Sequence, residues 1–164
     1  MKRYFLLAAV VIFLDQWTKY LVVQKMELGE RIAIWDPTLA LLSHRNKGAA
    51  WGMLQGQFAI FAVITVIVIA GILYFYFTEA KNKPMLQISL MVVLGGAIGN
   101  FIDRIVRGEV VDFVDVLVPI IHYDFPIFNV ADAALTIGVI LLIIGLWLEE
   151  KKTKVQQKVS DENA

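Results

Sequence analysis

Residues 95–115 read GGAIGNFIDRIVRGEVVDFVD, and residues 125–138 read FPIFNVADAALTIG. The first stretch carries Asn100, Asp103, Arg104 and Asp112; the second carries Asn129 and Asp132. Both abut long apolar runs. Ionisable groups beside a lipid-spanning segment are costly and rare, so they mark a site before they mark a scaffold. Two aspartates that meet at one membrane face point to acid–base chemistry on a membrane-bound substrate.

The rest of the chain supports the membrane reading. Of 164 residues 59% are hydrophobic, and the mean hydropathy is +0.68; a soluble domain lies nearer about 45–50% apolar. Four spans are predicted, at about residues 4–23, 58–77, 85–106 and 130–148. Each is close to the ~20 residues that cross a hydrocarbon core ~30 Å thick. The first has a basic start but is interrupted by Asp15 and Lys19 and lacks a small-residue cleavage site, so it reads as a retained helix. The formal net charge is +0, which offers nothing to nucleic acid. There are no cysteines, which excludes disulfides, thiolate catalysis and Cys-based metal sites. His44 and His122 lie far apart and fit no metal-ligand spacing, so no metal or cofactor is expected.

Basic residues in short loops set the orientation. Lys2 and Arg3, Lys81 and Lys83, and the tail lysines Lys151, Lys152, Lys154 and Lys158 fall on one side of a four-span chain. That side is read as cytoplasmic, with both termini there. The opposite side holds Lys25, Arg31, Arg45 and Lys47, so the asymmetry is modest. The domain reading is a single integral membrane domain over residues 1–150, with an outer β and loop region near 28–57, then a polar, frayed cytoplasmic tail at 151–164. ERIAIWDPTLALLSHRN (30–46) mixes β-formers with a break at Pro37 and suits short strands on the membrane surface. KGAAWGMLQGQ (47–57) suits an interfacial turn or short surface helix. Residues 107–129 read as an outer loop.

Depth brings the polar groups together. At 1.5 Å per residue, Asn100 lies about 22 Å along the third span. Asn100, Asp103 and Arg104 share i, i+3, i+4 spacing near its outer end. Gly108 is expected to stop that helix before Asp112. Asn129 and Asp132 open the fourth span at the same face. Blander readings stand beside this one. Asn129 and Asp132 have the spacing of a helix N-terminal cap with a dipole-favoured acid. Asp103 and Arg104 can be interface anchors, and Asp112 one of three solvated acids with Glu109 and Asp115. Asp15 and Lys19 form a favourable i, i+4 pair, but a purely structural pair this deep gains little over leucine. They are expected to face the bundle interior. Trp17, Trp35, Trp51 and Trp147 fit interfacial belts.

Four blocks carry a resemblance: DQWTK (15–19), HRNKGAAWG (44–52), GNFIDR with GEVVDFVD (99–104 and 108–115), and FNVADAA (128–134). In this order they resemble the lipoprotein signal peptidases, or signal peptidase II, and most of all members from Gram-positive bacteria. The resemblance implies an aspartic endopeptidase of the bacterial cytoplasmic membrane, with its active site at the outer face. It would remove signal peptides from prolipoproteins whose lipobox cysteine is diacylglyceryl-modified, cutting on the amino side of that cysteine. It places the catalytic pair on Asp112 and Asp132, and supporting or substrate-positioning roles on Asp15, Lys19, Asn46, Gly48, Asn100, Asp103, Arg104 and Asn129. Asp115 is an acid the motif does not demand, and it competes with Asp112 for the pairing. The implied fold is an all-α membrane protein: a four-helix bundle with a small outer β-sheet cradle and a short surface helix. No cofactor is implied. The implied partners are lipid-modified prolipoproteins and membrane lipid, with peptide antibiotics of the globomycin type as inhibitors. Two rival classes remain at this stage: a small ion-coupled transporter, favoured by Asp15 and Lys19, and a non-enzymatic assembly factor.

Overall fold

The computed structural model describes residues 2–48 and 57–162. After a one-turn 3₁₀ helix come α1 (Phe5–Lys25), β1 (Arg31–Trp35), β2 (Leu39–Asn46), α2 (Phe58–Thr78), α3 (Pro84–Arg107), β3 (Val110–Val118), β4 (Tyr123–Phe128) and α4 (Val130–Glu162). All four helices are long and apolar enough to cross a membrane. The expected spans agree with them within two residues at every end but one. Pro84 sits at the start of α3, where its missing N–H costs nothing. Gly108 ends α3 with φ +72°, a left-handed turn that favours glycine.

Helix α3 is the centre of the bundle. In its most apolar window 67% is buried, against 22% in α1 and α4 and 11% in α2. Small residues make this possible, because lipid-exposed helices associate by close packing rather than by escape from water. A Cβ on Gly96 would stand 2.5 Å from the Ala131 carbonyl oxygen, and one on Gly99 would stand 2.6 Å from Asp15 Oδ2. One apolar core joins Ala8, Tyr76, Leu86, Leu90 and Met91. A second joins Val22 and Met26 of α1 to Val111 and Phe113 of β3, and ties the sheet to the bundle.

The expected sheet is present, and it extends beyond residues 28–57. It is antiparallel, four-stranded, and ordered β1-β2-β3-β4. Two of its strands lie in residues 107–129, the segment read as a loop, so all-α understates the fold. VVDFVDVLV (110–118) is a run of β-branched residues long enough to form a strand, and it supplies the middle strand β3. His44 pairs with Asp112 and Asn46 with Val110 across β2 and β3. Register shifts fall between Leu41 and His44 and between Val114 and Val116. The tail is also corrected: α4 runs unbroken to Glu162, supported at its exposed end by a Lys152–Glu149 contact of 2.7 Å. The expected surface helix, with Trp51, falls largely on residues 49–56, outside the described residues.

Candidate active site

A cleft of about 730 Å³ opens between the sheet and the ends of α3 and α4. Asp112 and Asp132 both line it, with Asn46 and Gly48 from β2 and the turn after it, Asn100 and Arg104 from α3, and Tyr123–Phe128 as a wall. Strand β3 delivers Asp112, and the first turn of α4 delivers Asp132.

Three asparagines hold the two carboxylates. Asn46 Nδ2 donates to Asp112 Oδ2 at 3.0 Å. Asn129 Nδ2 donates to Asp112 Oδ1 at 2.6 Å. Asn100 Nδ2 donates to Asp132 Oδ1 at 2.7 Å. The backbone N–H of Asn129 donates to Asp132 Oδ2 at 3.2 Å, and that of Asp132 returns a bond to Asn129 Oδ1 at 3.0 Å. This reciprocal pair is a capping box. The cap reading and the site reading of Asn129 and Asp132 therefore both hold: the cap aims the acid into the cleft.

Asp112 is 1% exposed. Burial pushes its carboxyl up to about 6, and the nearby Asp132 charge adds to the rise; bonds from Asn46 and Asn129 and the Lys19 charge oppose it. Two carboxylates in one cleft do not both ionise easily.

Behind the cleft lies a second polar cluster. Lys19 Nζ lies 2.9 Å from Asp15 Oδ2, 3.0 Å from Asp103 Oδ2 and 2.8 Å from Asn100 Oδ1. Lys19, Asp15 and Asp103 are each 0% exposed, so Asp15 and Lys19 do face the interior. Asp15 Oδ1 accepts from the Ala131 N–H at 2.9 Å, and Asp103 Oδ2 accepts from the Val111 N–H at 3.1 Å. Asp103 also pairs with Arg107. Asp103 and Arg104 point to different places: Asp103 into this cluster, Arg104 to the cleft, where its guanidinium sits 4.7 Å over the Phe61 ring. Asp115 is engaged elsewhere, 2.9 Å from Arg31 Nε on the sheet. His44 is exposed at the cleft edge and His122 is exposed at a turn.

Sequence reasoning missed several members. Gln16 donates to the Gly99 carbonyl at 3.0 Å and lies 3.1 Å from Asp15 Oδ2 and 3.3 Å from Asp103 Oδ1; its place inside the DQWTK block was the available signal. Arg107 stands four residues after Asp103, a favourable acid-first spacing. Phe61 and the Tyr123–Phe128 wall left no local signal, because only the packing of α2 brings Phe61 to Arg104 and only the pairing of β4 brings the wall to the cleft.

A family model described as signal peptidase (SPase) II matches residues 7–148. The chain is similar to the lipoprotein signal peptidase of Anoxybacillus flavithermus, at 58% identity over 92% of this chain and 89% of that one. It is 54% identical to that of Halalkalibacterium halodurans, over 94% and 97% of the two chains, and 50% identical to that of Bacillus subtilis, over 94% and 99%. A solved bacterial membrane enzyme structure superposes with a TM-score of 0.85 at 43% identity, covering 93% of this chain and 92% of its own.

Proposed function

Because this chain belongs to the signal peptidase II family, we propose that Asp112 and Asp132 are the catalytic pair of its aspartic peptidase activity. The family makes it a lipoprotein signal peptidase of the membrane, which sets aside the transporter and assembly-factor readings. The observation that carries the choice of pair is the asparagine set: Asn129 bonds to both carboxylates in one cleft, while Asp115 is held by Arg31.

The chemistry follows from the environment. The pair shares one proton at neutral pH, and its two titrations belong to the pair together. We assign the ionised role to Asp132, which sits at a helix N-terminus, where negative charge is favoured. Asp112 then holds the shared proton. Asp132 takes a proton from water as the water oxygen attacks the scissile carbonyl carbon. Asp112 donates its proton to the carbonyl oxygen, giving a neutral tetrahedral intermediate. Collapse breaks the C–N bond: the proton now on Asp132 passes to the leaving amine, and a hydroxyl proton returns to Asp112. The products are a carboxylic acid and an amine, and the pair regains its starting state.

The substrate class is a prolipoprotein whose cysteine carries a diacylglyceryl group, cut on the amino side of that cysteine. The cleft lies beside α3 and α4, so a substrate helix and its lipid tails reach it through the bilayer. Asn46, Gly48 and Arg104 line the opening and position the peptide, and antibiotics of the globomycin type compete for the same cleft. Both termini face the cytoplasm and the cleft faces outward. Residues 1–150 act as one membrane unit, with the end of α4 extending beyond it.

The deciding experiment is cleavage of a lipid-modified prolipoprotein by detergent-purified protein. Asp112→Asn and Asp132→Asn are each expected to lower kcat by about 10²- to 10⁴-fold or more while the protein stays folded; Asp115→Asn keeps most activity. An inactive Asp115→Asn beside an active Asp112→Asn would show that the pair is wrongly chosen. The native chain has no cysteine, so Glu27→Cys and Lys158→Cys report topology directly: a membrane-impermeant thiol reagent outside the cell should label only the first.

The lipid should act mainly as a depth gauge. Each buried CH₂ contributes ~0.8 kcal/mol on leaving water, but the substrate helix is already in the membrane, so little of this becomes affinity. Register and orientation remain, and they act on rate. Unmodified prolipoprotein at equal membrane concentration should show a kcat about 10²-fold lower. Equal kcat values for the two substrates would sink the idea.

A further inference from the structure

The three asparagines share one design. In each, Nδ2 is aimed at a carboxylate while Oδ1 is held by a separate donor. Asn46 Oδ1 accepts from the Gly48 N–H at 2.9 Å, and Asn129 Oδ1 from the Asp132 N–H at 3.0 Å. Asn100 differs, because its Oδ1 is held by a charged group, Lys19 Nζ, at 2.8 Å. Asn129 Nδ2 also reaches Asn100 Oδ1, at 3.2 Å, but its two hydrogens are divided among that oxygen, the Val111 carbonyl at 3.4 Å and Asp112 Oδ1 at 2.6 Å.

An amide can turn over, exchanging its donor and acceptor ends with little change of shape. An ammonium has three donors and no acceptor. Lys19 therefore admits only the oxygen end of Asn100, which leaves Nδ2 facing Asp132 Oδ1 at 2.7 Å. The turned-over amide would set N–H groups against the ammonium and an oxygen against the carboxylate. Lys19 is fully buried and its three hydrogens go to Asp15, Asp103 and Asn100, so it has no water to turn to. The same segment of α1 acts by a second route: Asp15 Oδ1 holds the Ala131 N–H, one residue before Asp132.

We infer that Lys19 is a positioning residue for the reaction, fixing the direction of the Asn100 amide and thereby the placement of Asp132. This rests on Asp132 being half of the catalytic pair. The competing account is charge balance alone, since Asp15, Asp103, Lys19 and Arg107 sum to zero.

The test is a double-variant cycle on purified enzyme with lipid-modified prolipoprotein: Lys19→Met, Asn100→Ala and the two combined, with rates normalised to folded protein. Lys19→Met should lower kcat by about 10- to 100-fold with KM within about twofold. The combined variant should be no slower than Asn100→Ala alone, because Lys19 acts through that amide. Losses that multiply, or a loss confined to KM, would overturn the role. If Lys19→Met does not fold, Lys19→Met with Asp103→Asn removes one charge of each sign and takes its place in the cycle. A kcat restored to the level of Asp103→Asn in that pair would make Lys19 a charge balancer only. Asp132→Asn measured alongside separates the two readings. If it is active, the catalytic pair itself is wrong; if it is inactive and the cycle is multiplicative, only the role of Lys19 falls.

Discussion

Two clusters of charge lie side by side in this molecule, joined by Asn100, and they are built on opposite rules. Behind the cleft, Asp15, Lys19, Asp103 and Arg107 alternate in sign and pair at contact distance. Their remaining acceptor sites take backbone N–H groups from β3 and α4. Within the cleft, Asp112 and Asp132 carry the same sign, and among the described residues no cation lies within 4.0 Å of either. They receive only neutral donors. A buried ion pair with every site filled has no reason to react, and breaking it is costly. Two like charges held by amides keep a proton in play near neutrality. The difference teaches that a buried acid is read by its partners rather than by its burial: Asp103 and Asp112 are 0% and 1% exposed, yet only Asp112 is left poised.

That contrast can be broken by stability measurements. The largest effect is expected in the paired cluster. Asp15→Ala leaves the Ala131 N–H without its acceptor and takes one of two carboxylates from Lys19. It should destabilise the protein by about 3–5 kcal/mol, read as a fall in the thermal midpoint in detergent. A neutral result would mean that the cluster is not structural.

The pair in the cleft should behave in the opposite sense. The Asp112 carboxyl is raised from 3.8 to about 6, so the unfolded chain releases this proton more readily than the folded one. Its stabilising effect is whole below about pH 4 and is lost as pH rises through about 6. Asp112→Asn stays neutral throughout. It should match the wild type near pH 4 and exceed it above pH 7 by about 3 kcal/mol at most. A variant less stable than wild type at both pH values would remove the contrast.

The smallest effect sharpens the comparison from outside. Asp115 and Arg31 form a partly exposed pair on the sheet, and such pairs contribute roughly 0–1 kcal/mol. Asp115→Asn should change stability by less than that and leave cleavage near wild type. A larger loss would show that the sheet end of β3 belongs to the site.

Much of the site was legible in the chain because its blocks are short and local. DQWTK, GNFIDR and FNVADAA each place their polar groups within one or two helical turns, and the hydropathy around them marks the spans. The misses have a common cause. The strand character of residues 110–128 is hidden in the chain because β3 pairs with β2, far away in sequence, and β4 joins the sheet only through β3. Gln16 meets the cluster behind the cleft, Phe61 meets Arg104, and the β4 wall meets the cleft, all through tertiary packing. The helical continuation past Leu148 was read as frayed because its residues are polar and its stabilising pairs are side-chain contacts along an exposed helix.

Local pattern alone determined the four spans, the break at Gly108 and the candidate acids, since hydropathy, backbone preference and charge are properties of neighbouring residues. That Asp112 rather than Asp115 lines the cleft with Asp132 belongs to tertiary structure. So do the direction of the Asn100 amide and the split between the paired and the poised acids. Each depends on a donor from a distant segment: Lys19 reaches Asn100 across 81 positions, and the Ala131 N–H meets Asp15 across 116. A carboxylate's chemistry is set by which groups touch it, and those contacts exist only once the helices and the sheet have closed around it.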